Sequence, residues 1–353
     1  ADVRAMGGVS HVLLFNAGSS QLASIEYVPA TQSYQPWTTR PGNVGLPLDG
    51  STETATIDVD TQGRMWLASD HAAGAEQIVV YYSDAPYSTW SGPVALATGI
   101  NADDISVVTA MPGGRVGVLW SNQNTQRFGF RLHVDGADPA VWSADELPAS
   151  QSALNVGLGM ADDHMNVAVA ADGTLYAAVK TSYDLAGFPK IALLVRRPGG
   201  TWDNLYEVDQ AGTRGIVLLD ESAGKVTVVY TSVEGAGNIQ YKETPISAIS
   251  LSGPSTVLMP GGLNDATSTK QNIAGSIVSL AGNGTSLSGK LLSSGGHTIT
   301  ASAGSGGAIS PSGAVAVTDG ASQVFSLTPA ACFDIASVLV DGVSVGAVAS
   351  YTF

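Results

Sequence analysis

The chain has 353 residues, of which 30 are acidic and 15 basic, and its formal net charge is -15. Binding to a nucleic-acid backbone requires clustered Lys and Arg, so this charge argues against nucleic acid as a partner. The single cysteine, Cys332, excludes an intrachain disulfide and a cysteine-based metal site. No motif for a metal or a cofactor is present, so neither is expected.

The composition is typical of an extracellular all-β protein. Only 13% of the residues are charged, Gly is abundant, and Ser, Thr and Asn fill the breaks between short apolar runs. No apolar run reaches the ~18 residues of a membrane-spanning helix. The opening residues ADVRAMGG lack the basic and apolar segments of a signal peptide. We therefore expect a mature or excised piece of a secreted or cell-surface protein.

Six glycines, each followed by an apolar run, recur at spacings of 55, 51, 59, 51 and 51 residues. An apolar stretch that ends in turn residues precedes five of them, and each such pair predicts a β-hairpin. A third strand is predicted after most of the glycines, and a fourth follows in several repeats, often near a Trp. The six segments are Gly8-VSHVLLFN, Gly63-RMWLASD, Gly114-RVGVLWSN, Gly173-TLYAAVKTS, Gly224-KVTVVYTS and Gly275-SIVSLAGN.

Four strands in each repeat of ~50 residues correspond to one blade of a β-propeller. The sequence thus predicts an all-β fold in which residues 1–293 form a six-bladed propeller with four-stranded blades. The first repeat has no clear innermost strand, and the last has no clear outermost one. Residues 3–6 are therefore predicted to pair with the last blade and to close the ring.

Residues 294–353 differ from the repeats and predict a small C-terminal β-domain. The alternating segments ITASA, AVAVT, QVFSLT, IASVLVDG and ASYTF are separated by turn residues. Residues 297–353 resemble the bacterial surface repeats related to internalin B-repeats, which share the I-T-A-S-A-G-x-G-G-x-I-S-P-S-G opening and the V-x-V-D-G-x-S-V-G hairpin. That family usually continues after YTF into one more strand, so the domain is expected to be incomplete, or to be completed by a neighbouring chain. The resemblance implies a bacterial surface location.

Candidate site residues follow from propeller geometry. The innermost strand of each blade starts at one mouth of the central channel, and the second strand returns to that mouth. The starts are Glu53, Asp103, Asp104, Asp162, Asp163, His164, Asn166, Arg214, Lys270, Gln271 and Asn272, and the return ends are Asp70, His71, Asn122, Gln123, Tyr183, Asp184 and Glu234. The residues predicted to contact a ligand are Asp163, Asn166, Arg214, Lys270, Gln271, His71 and Asp104.

The segment DDHMNVAVAADGTLYAAVKTSYD, residues 162–184, is the most distinctive part of this mouth. It resembles the Asp-Asp-His-Asn run followed by Asp-Gly in BNR-repeat propellers, a group that includes ulvan lyases, although Met165 interrupts the His-Asn pair. For a lyase, the resemblance implies that His164 and Tyr183 transfer protons during β-elimination. Arg214 and Lys270 would then neutralise a uronate carboxylate.

Two segments, SDAPYSTW at 83–90 and RRPGGTW at 196–202, resemble the Asp-boxes of sialidases. Asp-boxes stabilise turns, so this resemblance concerns the fold. Sialidases hold the sialic acid carboxylate with three arginines, and only Arg214, together with Arg40, has a suitable place in the repeats. Sialidase activity is therefore not expected.

Three functional hypotheses stay open at this point. The first is a recognition or adhesion module that binds a glycan or a protein surface at the propeller mouth. The second is a polysaccharide lyase that acts on an acidic glycan. The third is a structural subunit that assembles by strand exchange through the C-terminal domain, because an open β-edge pairs readily. Whether the chain is an enzyme is not decided by its sequence.

Overall fold

The computed structural model describes residues 2–16, 19–293, 296–318 and 322–353. The described chain is all-β, apart from a 3-10 turn at Ser150–Ser152. No helix in these ranges could cross a membrane. The chain divides into a first unit of residues 1–219, 226–272 and 278–290 and a second unit of residues 220–225, 273–277 and 291–353. The boundary predicted between residues 293 and 294 adjoins two residues outside the described ranges and stays a prediction.

The first two repeats form two antiparallel sheets in which successive strands are neighbours. The first sheet consists of β1 (Asp2–Met6), β2 (Val9–Leu14), β3 (Gln21–Val28) and β4 (Ser33–Pro36), and β5 (Val44–Gly45) also pairs with β3. The second consists of β6 (Ala55–Val59), β7 (Met65–Ala72), β8 (Ala75–Ser83) and β9 (Ser91–Thr98).

The expected pairing of residues 3–6 with the last blade is wrong. Strand β1 pairs with β2 of its own repeat, with Met6 opposite Val9 and Asp2 opposite Leu13. Gly7 and Gly8 both have positive φ and form the tight turn between the two strands. A two-residue turn of this kind favours the local hairpin, so β1 supplies the innermost strand that the first repeat lacked.

The next two repeats form a three-stranded and a four-stranded sheet. The three strands are β10 (Ser106–Met111), β11 (Arg115–Asn122) and β12 (Arg127–Val134). The four strands are β13 (Met165–Val169), β14 (Leu175–Lys180), β15 (Ile191–Arg196) and β16 (Tyr206–Asp209). In the three-stranded sheet, an isolated bridge between Phe130 and Glu146 replaces the fourth strand.

The last two repeats share one six-stranded sheet. It contains β17 (Thr213–Asp220), β18 (Lys225–Thr231), β19 (Gly237–Pro245), β20 (Thr256–Thr267), β21 (Ser276–Gly282) and β22 (Leu287–Ser293). The long strand β20 pairs with β19 through its first part and with β21 through its last residues, which joins two predicted blades. The described strands of the repeat region thus form five sheets, and the count of six blades stays a prediction.

The hydrophobic core lies in layers between neighbouring sheets. Alternate residues of β7 face opposite ways: Met65 and Leu67 pack toward the first sheet, and Trp66 and Ala68 pack toward the third. Similar layers lie between the third and fourth sheets and between the fourth and fifth. Each central strand therefore buries both faces. This explains why its sequence is a continuous apolar run and not an alternation of apolar and polar residues.

The first strands of successive sheets lie side by side, with β1 next to β6, β6 next to β10 and β10 next to β13. Their inner edges have no partner strand, and side chains of neighbouring elements satisfy the free backbone groups instead. Asp2 accepts a hydrogen bond from Ile57 N (2.7 Å), Asp58 from Ala110 N (2.7 Å), and Asn166 from Val217 N (3.0 Å). Consecutive antiparallel sheets with adjacent inner strands form a β-propeller arrangement.

The second unit contains three small sheets. They are formed by β23 (Gly296–Ala301) with β25 (Gly313–Thr318), by β24 (Gly307–Ser310), β26 (Val324–Pro329) and β29 (Ser350–Thr352), and by β27 (Val338–Val340) with β28 (Val343–Gly346). The five strands expected in this region are confirmed. Among the described side chains of residues 298–317 and 322–353, Val317 and Phe325 are the only apolar ones that are buried.

Candidate functional site

Three carboxylates from successive sheets converge at the starts of the inner strands. Glu53 precedes β6, Asp103 precedes β10, and Asp163 precedes β13. One oxygen of each carboxylate lies within 4.8 Å of the corresponding oxygens of the other two. Glu53 and Asp103 are exposed, and Asp163 is half-buried. We call these three residues the mouth cluster, and they show that the polar residues predicted for three of the inner-strand starts meet.

His164 lies between two of the neighbouring carboxylates. Its Nδ1 is hydrogen-bonded to Asp163 and is 3.6 Å from Asp162 Oδ1. Burial by itself lowers the pKa of His164, but the hydrogen bonds with Asp162 and Asp163 outweigh it and raise the pKa to about 9. At neutral pH His164 is therefore an imidazolium. A positively charged imidazole can donate a proton or a hydrogen bond, but it cannot act as a general base.

Glu53 differs from an ordinary surface carboxylate. Burial, followed by the negative charges of Asp103 and Asp163, raises its pKa to about 7. Burial also raises the pKa of Asp163. Asp162 behaves in the opposite way: although burial disfavours its charge, hydrogen bonds from His164 and the charge of Lys180 hold its pKa below the usual range. The site thus combines carboxyl groups with different proton affinities.

The basic side chains at this mouth already have acidic partners. Lys180 Nζ is 3.3 Å from Asp162 and 3.5 Å from Glu234. Arg214 Nε is 2.7 Å from Asp265, and its Nη1 is 3.7 Å from Glu234. Lys180 and Arg214 are therefore occupied by other carboxylates. Among the described residues, His164 is the only basic side chain paired with the mouth cluster.

Two sets of residues have donor atoms close enough to consider a metal ion, namely the mouth cluster and the group Asp162, Asp163 and His164. The protonated His164 repels a cation and cannot ligate one through Nδ1, because that nitrogen is bonded to Asp163. Calcium takes six to eight oxygen ligands, of which the mouth cluster offers three side chains. We assign no metal to this site.

The structure places Tyr183 away from the mouth, which corrects the expected pairing with His164. Met165 pairs with Val179, and Lys180 N donates to His164 O, so Lys180 stands opposite His164. Tyr183 lies three residues further on, beyond the end of β14. Its side chain is 1% exposed in the core layer between the third and fourth sheets. Its hydroxyl accepts a hydrogen bond from Leu154 N at 2.9 Å.

Three other predicted residues line the channel instead of the mouth. Lys270 Nζ donates to Asp2 Oδ2 and to Ile57 O, both at 2.6 Å. Asn166 holds Val217 N, as described above. Gln271, with Asn166 and Lys270, borders a channel cavity of about 260 Å³. Lys270 and Asn166 satisfy backbone groups at the inner edges of the first strands, so their polarity has a structural cause.

The two remaining predicted residues have local roles. Asp104 is fully buried, and its carboxylate accepts hydrogen bonds from Asn101 N (2.7 Å) and Gln123 N (3.1 Å). His71 is 5% exposed, and its Nδ1 lies 2.6 Å from Asp49. Both stabilise the turns in which they stand. Of the residues predicted to contact a ligand, Asp163 and Arg214 belong to the mouth, and their contact with a ligand stays a prediction.

Two residues of the mouth were not among the candidates. Lys180 is the last residue of β14, and the sequence rule placed the return of that strand at Tyr183 and Asp184, a few residues too late. Asp265 was missed because β20 is a long strand that no repeat predicted. Arg214 and Asp265 both have positive φ, 52° and 53°, a conformation that residues other than glycine seldom adopt.

No family model and no curated protein matches the sequence. Several solved structures resemble the fold. An ulvan lyase bound to a GlcA-Rha3S glycan has 10% identity, with 79% of this chain and 76% of that chain covered and a TM-score of 0.49. The SapL1 lectin in complex with α-methyl fucoside has 10% identity, coverage of 81% and 90%, and a TM-score of 0.49. An α-L-arabinanase of Penicillium chrysogenum has 13% identity, coverage of 68% and 78%, and a TM-score of 0.45.

Each of these TM-scores is below 0.5, so none of the similarities carries weight for the function of this chain. The resemblances of the sequence to BNR-repeat propellers and to internalin B-repeats have no family match and stay predictions.

Proposed function

We propose that this chain is a carbohydrate-recognition module of a secreted or surface protein, and that the mouth cluster holds the sugar. The observation that carries the proposal is the convergence of Glu53, Asp103 and Asp163 from three successive sheets, within 4.8 Å of one another. Carboxylates accept two hydrogen bonds each from neighbouring hydroxyl groups, and sites of this kind place a few convergent polar groups on a rigid scaffold.

The charge balance of the mouth favours a neutral sugar. Lys180 and Arg214 are paired with Asp162, Glu234 and Asp265. A uronate at this mouth would meet the mouth cluster without a free basic partner, and like charges repel. The lyase hypothesis has less support for the same reason, and because Tyr183 is buried and His164 is protonated.

The proposal is tested with immobilised neutral and acidic polysaccharides. We expect retention on a neutral glycan. Asp103→Asn or Asp163→Asn should raise the dissociation constant about tenfold, because each removes a charge-assisted hydrogen-bond acceptor. Affinity is measured by calorimetry with the retained oligosaccharide. Glu26→Gln, which alters a partly exposed carboxylate on β3 of the first sheet, is the matched control and should leave the affinity unchanged.

The same incubations distinguish recognition from catalysis. If the incubations release new reducing ends, and Glu53→Gln releases none, the chain is a glycoside hydrolase and not a recognition module. In such enzymes two nearby carboxyl groups of unequal pKa serve as acid and nucleophile. Ultraviolet-absorbing products that disappear in His164→Ala would restore the lyase hypothesis. Retention by no glycan, or equal retention by both Asn variants and the unaltered chain, would contradict the proposal.

Strand exchange through the second unit is a separate candidate function. A cavity of about 570 Å³ there is bordered by apolar side chains that include Leu327, Phe333 and Tyr351. Strand β29 is an edge strand, and its residues 349 and 353 bond to β26, so Ser350 and Thr352 direct their backbone groups outward. An added strand would pair there and cover the cavity.

If this edge accepts a strand from a second copy, sedimentation should show association that rises with concentration. Thr352→Pro removes one outward N–H and should abolish it, whereas Ala331→Pro, in an exposed turn outside the strands, should not. A chain that sediments as a monomer at every concentration would exclude this function.

A further inference from the structure

An open groove lies between the second and third sheets, and it has a clear structural origin. In the second sheet, β9 covers β8 from Gln77 to Tyr82. In the third sheet, the segment after β12 covers only the second half of that strand. Phe130 exchanges hydrogen bonds with Glu146, and Leu132 O accepts from Ser143 N. The first half of β12, from Arg127 to Gly129, has no outer strand, and a cavity of about 490 Å³ occupies that place.

The floor of this groove is apolar. Leu147 is its exposed part, and Leu96, Trp120 and Phe128, each at most 3% exposed, form its buried base. Gly129 is required here, because a Cβ at this position would lie 2.2 Å from the indole of Trp120. The aromatic ring therefore lies directly against the β12 backbone. Leu147 is 54% exposed, so part of the floor is accessible to a ligand.

Polar groups border the apolar floor. Thr98, Asn122 and Thr125 stand along the rim, and Arg131 is paired with Asp145. Arg127 differs from most arginines of the chain. Its Nη1 donates to the backbone oxygen of Gln126 at 2.8 Å, and no carboxylate within the described ranges forms an ion pair with it. By contrast, Arg64, Arg196, Arg197 and Arg214 each have an acidic partner.

An unneutralised guanidinium is notable on a chain with a net charge of -15. Its planar fork matches a carboxylate, which it can bind through two parallel hydrogen bonds. The hydroxyl and amide groups of the rim match sugar hydroxyls, and the apolar floor matches the C–H face of a pyranose ring. The cavity is large enough for one or two sugar residues.

From this combination we propose that the groove is a second carbohydrate site, specific for a sugar that carries a carboxylate, such as a uronic acid residue. Arg127 binds the carboxylate, and the exposed side chain of Leu147 contacts the ring. The site does not depend on the proposed function of the mouth. It provides the free basic group that the mouth lacks.

The test compares methyl β-D-glucuronide with methyl β-D-glucoside, two ligands that differ only in the carboxylate. Binding to the full chain is measured by ligand-observed NMR titration. We expect the glucuronide to bind at least about tenfold more tightly than the glucoside and to weaken as salt is added. Arg127→Ala should weaken glucuronide binding about tenfold, and Arg127→Lys should restore part of it, because the charge returns without the fork.

Arg115→Ala is the matched control. Arg115 lies at the other end of β11, and its guanidinium donates to Pro112 O. This variant removes the same charge and should leave glucuronide binding unchanged. Gly129→Ala should also weaken binding, because the indole of Trp120 must move.

Several results would overturn the proposal. They are equal binding of glucuronide and glucoside, no binding of glucuronide at about 20 mM, equal losses in Arg127→Ala and Arg115→Ala, and tight binding of acetate, which would indicate a simple anion site. Asp103→Asn separates the two proposals. It should weaken binding of the neutral glycan at the mouth and leave glucuronide binding in the groove unchanged.

Discussion

Replacing Glu146 by Ala is expected to lower the free energy of unfolding by about 3–5 kcal/mol, because it leaves a buried charge without a partner. Glu146 accepts hydrogen bonds from Arg196 Nε (2.7 Å), Arg196 Nη2 (2.6 Å) and Trp202 Nε1 (2.7 Å). Arg196 is 3% exposed, and it also lies over the Phe130 ring. The carboxylate therefore links the outer parts of the third and fourth sheets.

This expectation is measured by urea unfolding of the variant and the unaltered chain. Asp84→Ala is the control, since Asp84 is 68% exposed in its ion pair with Arg64. An exposed pair contributes less than about 1 kcal/mol, so the control should unfold near the midpoint of the unaltered chain. Glu146→Gln keeps the shape and two acceptor sites and should fall between the two. Similar losses in Glu146→Ala and Asp84→Ala would show that the buried pair does not join the sheets.

Stability is expected to fall as the pH rises from about 7 to 9, because His164 binds its proton more tightly in the folded state. Below pH 7 two groups act in opposite directions: the raised pKa of Glu53 favours the folded state at lower pH, whereas burial lowers the pKa of His11 to about 4 and favours the folded state at higher pH. The pKa of Glu53 rises from 4.5 to about 7, so its contribution is complete below 4.5 and is lost as the pH passes 7. The pKa of His164 rises from 6.5 to about 9, so its contribution is complete below 6.5 and is lost as the pH passes 9.

The His164 contribution is on the order of 3.5 kcal/mol, because each pKa unit corresponds to about 1.4 kcal/mol. Glu53 is exposed to solvent and contributes less. The depressed pKa of Asp162 has the opposite sign, and its contribution is lost as the pH falls below the usual range of an aspartate, outside this window.

Urea unfolding at pH 5, 6, 7, 8 and 9 measures this profile. We expect Glu53→Gln to remove a loss of stability between pH 5 and 7, so that the difference from the unaltered chain changes over that interval, and we expect His164→Asn to flatten the fall between pH 7 and 9. Glu26→Gln, on β3 of the first sheet, is the control and should leave the profile unchanged. A profile that is flat, or that rises, between pH 7 and 9 would contradict the proton affinity inferred for His164.

The repeats were readable from the sequence because the central strands bury both faces between sheets, which leaves continuous apolar runs that end at Gly and Asp turns. The same turn residues predicted the hairpins, and the alternating segments of the C-terminal region predicted its strands. The first hairpin was misassigned, because Gly7-Gly8 forms a turn too short for the repeat pattern to show. The long strand β20 was missed, because it pairs with two neighbours at once.

The candidate site was predicted only in part. Strand starts can be located from the apolar runs that follow them, which placed Glu53, Asp103, Asp163 and His164 at one mouth. The position at which the second strand of a hairpin ends at the mouth depends on the pairing register. An error of a few residues in that register led to the prediction of Tyr183 where the structure has Lys180. The channel residues Asn166 and Lys270 could not be separated from site residues, since polar side chains serve both ligands and unpaired strand edges.

By itself, the sequence determined the all-β class, the repeat order and the acidic character of the chain, because local turn chemistry and apolar patterning are encoded residue by residue. Only the tertiary structure decided which polar side chains face one another, which of them already hold a backbone group or an ion pair, and where an outer strand is missing. Those properties depend on contacts between residues about 50 positions apart, such as Glu53 with Asp103 or Glu146 with Arg196, and no local pattern records them.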